Sequence, residues 1–106
     1  MRDLHIQVND KIATYDNRDG IIVCGNGDYQ LVINFDNDWD NITNKIARFI
    51  WNGQHTDVEF TGDTVVVPVV SNTKQLIVGI YADNVSTTAV TIPCVLSVLC
   101  AGGVNA

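Results

Sequence analysis

Tyr29-Gln30-Leu31-Val32-Ile33-Asn34-Phe35-Asp36 decides how the chain is read. Tyr29, Leu31, Ile33 and Phe35 fall on one side of an extended backbone, and Gln30, Asn34 and Asp36 on the other. Successive side chains of a strand point to opposite faces, so this period of two, with an aromatic at each end, predicts a strand with one face in a core. Upstream, Leu4, Ile6 and Val8 alternate with His5, Gln7 and Asn9, and Asn9-Asp10 is the expected turn. Ile12 to Tyr15 and Ile21 to Cys24 are further short runs. Gly25-Asn26-Gly27-Asp28 is expected to be a tight reversal into the central strand, because Gly and Asn tolerate positive φ.

Downstream, Asp36 to Asn41 interrupts the alternation, and the next segment fits two patterns. Trp39, Ile42, Ile46 and Phe49 keep a helical spacing, with Asp38 as the N-cap. A strand instead puts Lys45, Ala47, Phe49 and Trp51 on one face, and leads into Asn52-Gly53, the strongest hairpin signal in the chain. The strand is therefore taken from Lys45, with at most one short helical turn near residues 39–44. Thr56 to Phe60 alternates again, and Thr61-Gly62-Asp63 turns the chain. Val65 to Val70 is β-branched but carries Pro68, which suits an edge or a strand end. Leu76, Val78 and Ile80 continue the alternation, and Asp83-Asn84 turns. Val85 to Leu99 is expected to hold one or two strands, broken near Pro93.

Roughly seven to nine short strands with regular turn signals predict an all-β fold, an antiparallel β-sandwich. It would be Ig-like or jelly-roll-like in topology only, since the Cys-Trp-Cys spacing of a true Ig domain is missing. Composition agrees. Val, Ile and Thr supply 35 of 106 residues, whereas the helix-former Glu occurs once, as Glu59. This length fits a single domain, taken as residues 1–100, with 101–106 as a flexible tail.

The net charge is −6, and the six bases, Arg2, Lys11, Arg18, Lys45, Arg48 and Lys74, are scattered. Displacing counterions from nucleic acid needs clustered Lys and Arg, so no nucleic-acid partner is expected. The longest apolar stretch, Val90 to Gly103, is too short and broken to span a bilayer, so no membrane partner is expected either. The start lacks a charged segment followed by an apolar one, so a signal peptide is not expected, and the protein is made in the cytoplasm. Cys24, Cys94 and Cys100 are an odd set without a Cys-x-x-Cys pair. They are taken as small hydrophobes, with one disulfide plus one reactive thiol as the alternative.

Asp36, Asp38 and Asp40 resemble the start of a calcium loop, but Asn41 and Ala47 stand where its Gly and Glu belong, leaving only a weak metal candidate. His5 and His55 lack the spacing of a zinc site, and Gly25-Asn26-Gly27 does not open a helix as a phosphate loop would. Asp57, Glu59 and Asp63 could supply paired carboxylates, but alternation puts Asp57 and Glu59 on a solvent face. No nucleophile motif is present, so neither an enzyme nor a cofactor is expected. Trp39, Trp51, Tyr15, Tyr29 and Tyr81 could stack on sugar rings, although Tyr29 and Trp51 fall at core-facing positions.

Tyr29-x-Leu31-x-Ile33-x-Phe35, Asp38-Trp39, Lys45-x-Ala47-Arg48-Phe49, Val67-Pro68 and Leu76-x-Val78-Gly79-Ile80-Tyr81 together resemble small β-sandwich domains of phage and prophage tail and baseplate appendage proteins from Gram-positive hosts, the N-terminal type of the baseplate upper protein. The resemblance covers about Tyr29 to Ile92 and makes Tyr29, Leu31, Phe35, Trp39, Phe49 and Gly79 the fold-defining residues. Related domains often carry a Pro-Thr step where this chain has Ser86-Thr87-Thr88. The resemblance implies a virion location, other virion proteins as partners and a homo-oligomer in a symmetric assembly. The β-branched edge at Val65, Val67, Pro68 and Val70, only partly blocked by Pro68, is expected to pair with a neighbouring chain as the interface. A capsid accessory protein, either a decoration protein or a head-fibre base, and a carbohydrate-binding module using Trp39 or Trp51 are the alternatives.

Overall fold

The computed structural model describes residues 1–98. Ten strands follow one another: β1 (Arg2–Asn9), β2 (Ile12–Tyr15), β3 (Ile22–Val23), β4 (Tyr29–Asn34), β5 (Lys45–Trp51), β6 (Gln54–Phe60), β7 (Thr64–Val66), β8 (Gln75–Ala82), β9 (Val85–Ser86) and β10 (Val90–Val95). Two short 3-10 turns lie at Asn17–Asp19 and Asn37–Trp39. The smaller sheet runs β2-β1-β4-β7, and the larger runs β3-β10-β8-β5-β6 with β9 against the far end of β8. Leu4, Ile6, Val8, Leu31 and Ile33 of the first sheet and Phe49, Leu76, Val78, Ile80 and Ile92 of the second form one buried cluster. The all-β sandwich expected from the alternation is the observed architecture. Each of these side chains, once fully buried, contributes about 1.5–3 kcal/mol of hydrophobic stabilisation.

The sheets are not purely antiparallel. β4 pairs β1 in parallel, from Arg2↔Tyr29 to Gln7↔Asn34, and β3 pairs β10 in parallel at Cys94↔Ile22 and Val95↔Val23. The route of the chain requires this. After the β1–β2 hairpin it crosses to the larger sheet as β3, then returns to the end of β1 where that strand began. Gly25 to Asp28 is therefore a sheet-to-sheet connection rather than the expected hairpin reversal, tied at its end by Arg2 N–H donating to Asp28 C=O at 2.7 Å.

Of the two-residue hairpins, β1–β2 and β5–β6 use left-handed backbone, whereas Asp83-Asn84 between β8 and β9 does not. Asn52 and Gly53 have φ of 53° and 76°, and Asp10 and Lys11 have φ of 50° and 68°. Positive φ at both central positions is the turn whose twist matches the flanking strands, and Gly53 makes the second one cheap. The chain break expected near Pro93 falls instead at residues 87–89. Pro93 continues β10 because its missing N–H costs little there: it is the last rung of the β8 ladder, and the β3 ladder begins at Cys94. The helical turn expected over 39–44 lies at Asn37–Trp39, and Asp36 rather than Asp38 is its N-cap, accepting from Asp38 N–H at 3.2 Å. The strand read as Val65 to Val70 ends at Val66, on the edge of the smaller sheet. The expected 101–106 tail lies outside the described residues.

Thr87 and Thr88 join the sheets. Thr87 N–H donates to Ile80 C=O at 2.9 Å, and Thr87 Oγ1 accepts from Ile80 N–H at 3.1 Å, so the side chain stands in for the strand bond missing after β9. Thr88 N–H donates to Lys11 C=O at 2.8 Å, and Thr88 Oγ1 accepts from Ala13 N–H at 3.0 Å, stitching the free edge of β2.

Candidate functional site

The outer face of the larger sheet is built by the residues that alternate with the core. Ile46, Arg48 and Ile50 on β5 and Ile77, Gly79 and Tyr81 on β8 are half-buried there. Register places Arg48 between Asp57 on β6 and Gly79 on β8, and Ile50 opposite Ile77. Gly79 leaves a gap: a Cβ added to it would meet only Thr87 Oγ1, at 4.0 Å. The result is an open groove of about 510 Å³ lined by Arg48, Ile50, Tyr81, Val85 and Thr87 among others. On the other side of Tyr81 a second groove, of about 810 Å³, is lined by Ile46, Glu59, Phe60 and Asp83 among others.

A closed polar network crosses this face. Arg48 donates from Nε and from a terminal nitrogen to the two oxygens of Asp57, at 2.8 and 2.9 Å. Tyr81 O–H donates to Asp57 Oδ2 at 3.0 Å, and the Arg48 guanidinium lies 5.4 Å from the centre of the Tyr81 ring. The Arg48 hydrogen bonds hold the Asp57 carboxyl down at about 2, and Asp57 in turn raises Arg48. A carboxylate held so low is a poor general base. Apolar side chains thus surround a charge pair that is satisfied internally.

Beneath the second groove Lys45 is buried, with its ammonium 5.2 Å from the Phe35 ring centre and 5.5 Å from that of Phe60. Nζ donates to the carbonyls of Ile42 and Thr43 at 3.4 and 3.5 Å. Burial lowers its pKa. Phe35 also packs on Trp39, with ring centres 4.9 Å apart. Sequence reading placed Lys45 on the core face but assigned it no role. The visible signal was an ammonium at a buried alternate position, followed by partner aromatics on other elements.

The other sequence candidates disperse. Asp36 also accepts from Asp10 N–H at 2.6 Å, Asp38 lies 3.5 Å from Lys11 Nζ, and Asp40 closes the 3-10 turn. These acids cap and pair separately, and among the described residues no three His, Cys, Asp or Glu side chains converge on a metal position. Val65, Val67 and Val70, expected at an interface, are core residues at 5%, 2% and 1% exposure. Their neighbours Val66 and Val69 are the exposed ones: alternation turns Val65 and Val67 inward and Val66 out, and the pattern shifts by one residue at Pro68, which buries Val70 and exposes Val69. Pro68 is half-buried beyond the end of β7. Tyr29, Leu31, Trp39 and Phe49 are buried, Phe35 packs against the core, and Gly79 lies on the outer face. Trp39 is 3% exposed, so its ring offers no stacking platform, and Trp51 is half-buried against the core. Asp57 and Glu59 are exposed, as the alternation required. His5 Nδ1 lies 2.9 Å from Asp19, which also accepts from His5 N–H at 2.6 Å, so this pair pins a turn to β1.

Comparison with protein-family models, with curated proteins and with solved structures finds no match. Among the described residues no helix is long and apolar enough to cross a membrane.

Proposed function

We propose that the chain is a phage virion structural protein, a tail, baseplate or fibre-attachment module that acts by protein–protein assembly and not by catalysis. The observation that carries this reading is the outer face of the larger sheet. There Ile46, Ile50, Ile77 and Tyr81 surround an Arg48–Asp57 pair whose charges are already satisfied. Such a face can be covered by another protein without stranding a charge, which costs several kcal/mol in a less complete arrangement. The resemblance set out from Tyr29 to Ile92 supports the virion setting. Symmetric particles repeat one surface around an axis, so a single recognition face on a small rigid sandwich suffices.

The test is the copy number in purified particles of the encoding phage or prophage, by quantitative mass spectrometry. On the order of tens of copies is the expected result for a tail or baseplate component. On the order of hundreds would transfer the protein to the capsid surface as an accessory protein. Absence from particles would overturn the reading. Ile50→Asp, which places a charge in the middle of the face, is expected to reduce incorporation while leaving the isolated domain folded.

A further inference from the structure

β3 and β10 bring two thiols together. The strands run in parallel with Ile22 opposite Cys94, and Cys24 follows two residues later on the same side, its N–H donating to Val95 C=O at 2.9 Å. Both side chains face the interior, at 0% and 4% exposure. Besides desolvation, the neighbouring Cys24 thiol helps to raise the Cys94 pKa, so the two groups feel one another. Cys24 Sγ–H donates to Thr73 C=O at 3.2 Å, and Cys94 Sγ–H to Ile92 C=O at 3.5 Å, so in the reduced form each sulfur is held by a weak bond to a carbonyl. Both cysteines are free.

We propose that Cys24 and Cys94 are a latent disulfide, open in a reducing cytoplasm and closed when the protein meets a disulfide oxidant such as glutathione disulfide. One cysteine thiolate attacks the glutathione disulfide, forming a mixed disulfide and releasing one glutathione. The second thiolate then displaces the other glutathione, leaving the Cys24–Cys94 bond. The two protein sulfurs lose two electrons, the glutathione disulfide gains them, and the two thiol protons end on the two glutathione molecules released.

The surroundings set how the bond closes. Desolvation pushes the Cys94 thiol up to about 12, so little thiolate exists while the site is shut. Opening is local, because β3 is a two-residue edge strand. Its further ties are Val23 N–H to Tyr29 Oη at 2.9 Å and Gly25 N–H to Val70 C=O at 2.8 Å. An edge strand this short opens at far lower cost than the whole domain. Once closed, the bond joins positions far apart in the chain, which is where chain-entropy stabilisation is largest. This inference is independent of the assembly role, and either can fail without the other.

The experiment uses the full chain carrying Cys100→Ser, equilibrated in glutathione buffers from reducing to oxidising, then alkylated and mapped by mass spectrometry without reduction. The expected product has lost the mass of two hydrogens, links the Cys24 and Cys94 peptides, and melts about 10 °C higher or more, reversibly on adding dithiothreitol. Thiols that remain alkylatable in the most oxidising buffer, also in mild denaturant that opens the edge, would overturn the proposal. So would a stable glutathione adduct in place of the link, or a linked form that melts lower than the reduced one.

Discussion

Asp57 and Asp16 are the carboxylates whose environments shift them most, both held down at about 2 by hydrogen bonds from an arginine. A group whose pKa is depressed on folding contributes stability that is complete above its unfolded value and is lost as pH falls through its folded one. For these acids the window runs from about pH 4 down to about pH 2. The Arg48–Asp57 side chains are 42% and 31% exposed, so solvent screening keeps the contribution of that pair small. Asp57→Asn is expected to shallow the fall in melting temperature between pH 4 and pH 2 while leaving the Asp16 part in place. An acid limb identical to wild type would show that the pair adds nothing. Lys45 is a different case. Its ammonium is buried at a cost, set against the Phe35 and Phe60 rings. Lys45→Met keeps the stem and removes the cost, so urea unfolding is expected to change by less than about 1 kcal/mol or to improve. Lys45→Ala opens a hole and is expected to lose about 2 kcal/mol or more.

Single elements have their own weak points. Gly53 has φ of 76° with nothing within 4 Å of an added Cβ, so Gly53→Ala tests backbone strain alone. It is expected to cost about 1 kcal/mol in urea unfolding with an unchanged denaturant slope. Thr87→Val leaves Ile80 N–H without its acceptor, and is expected to cost about 1–3 kcal/mol by the same measurement. Sequence reading reached the elements where local chemistry decides. The alternation of Tyr29 to Asn34, the start of β5 at Lys45 and the turn at Asn52-Gly53 were all legible. It missed what partners decide. A period of two reports which face is buried, and is silent on whether the neighbour runs parallel, so β1–β4 pairing was invisible. Val65 to Val70 looks like one strand because β-branched residues suit extended chain with or without a partner, and only Thr64–Val66 has one. Asp36 and Asp38 are chemically equivalent caps until the turn fixes which of them precedes it. The outer-face network was half legible: alternation exposed Asp57, but only register sets Arg48 beside it.

At the scale of the whole molecule, both sheets close through pairings between distant parts of the chain. Folds dominated by such pairings refold slowly for their size, in about milliseconds to seconds. Stopped-flow dilution from urea is expected to give a rate in that range, whereas microsecond refolding would contradict the topology. Positions in the late-closing parts are expected to act mainly on unfolding. Thr88→Val, which removes the acceptor of Ala13 N–H 75 residues away in the chain, should therefore raise the unfolding rate more than it lowers the folding rate.

The parallel rungs between β3 and β10 also order events during synthesis. Residues 22 and 23 emerge from the ribosome early and must wait for residues 94 and 95 before they can dock. β8, in the middle of the larger sheet, exposes its β10-facing edge throughout that interval. A nascent chain whose β8 has cleared the exit tunnel while β10 is still inside it therefore displays the bare backbone of Gln75 to Val78, a template for pairing with another chain. Chaperone capture is expected to peak on chains of that length and to fall once β10 has cleared the exit tunnel, which ribosome-bound chains of graded length would reveal.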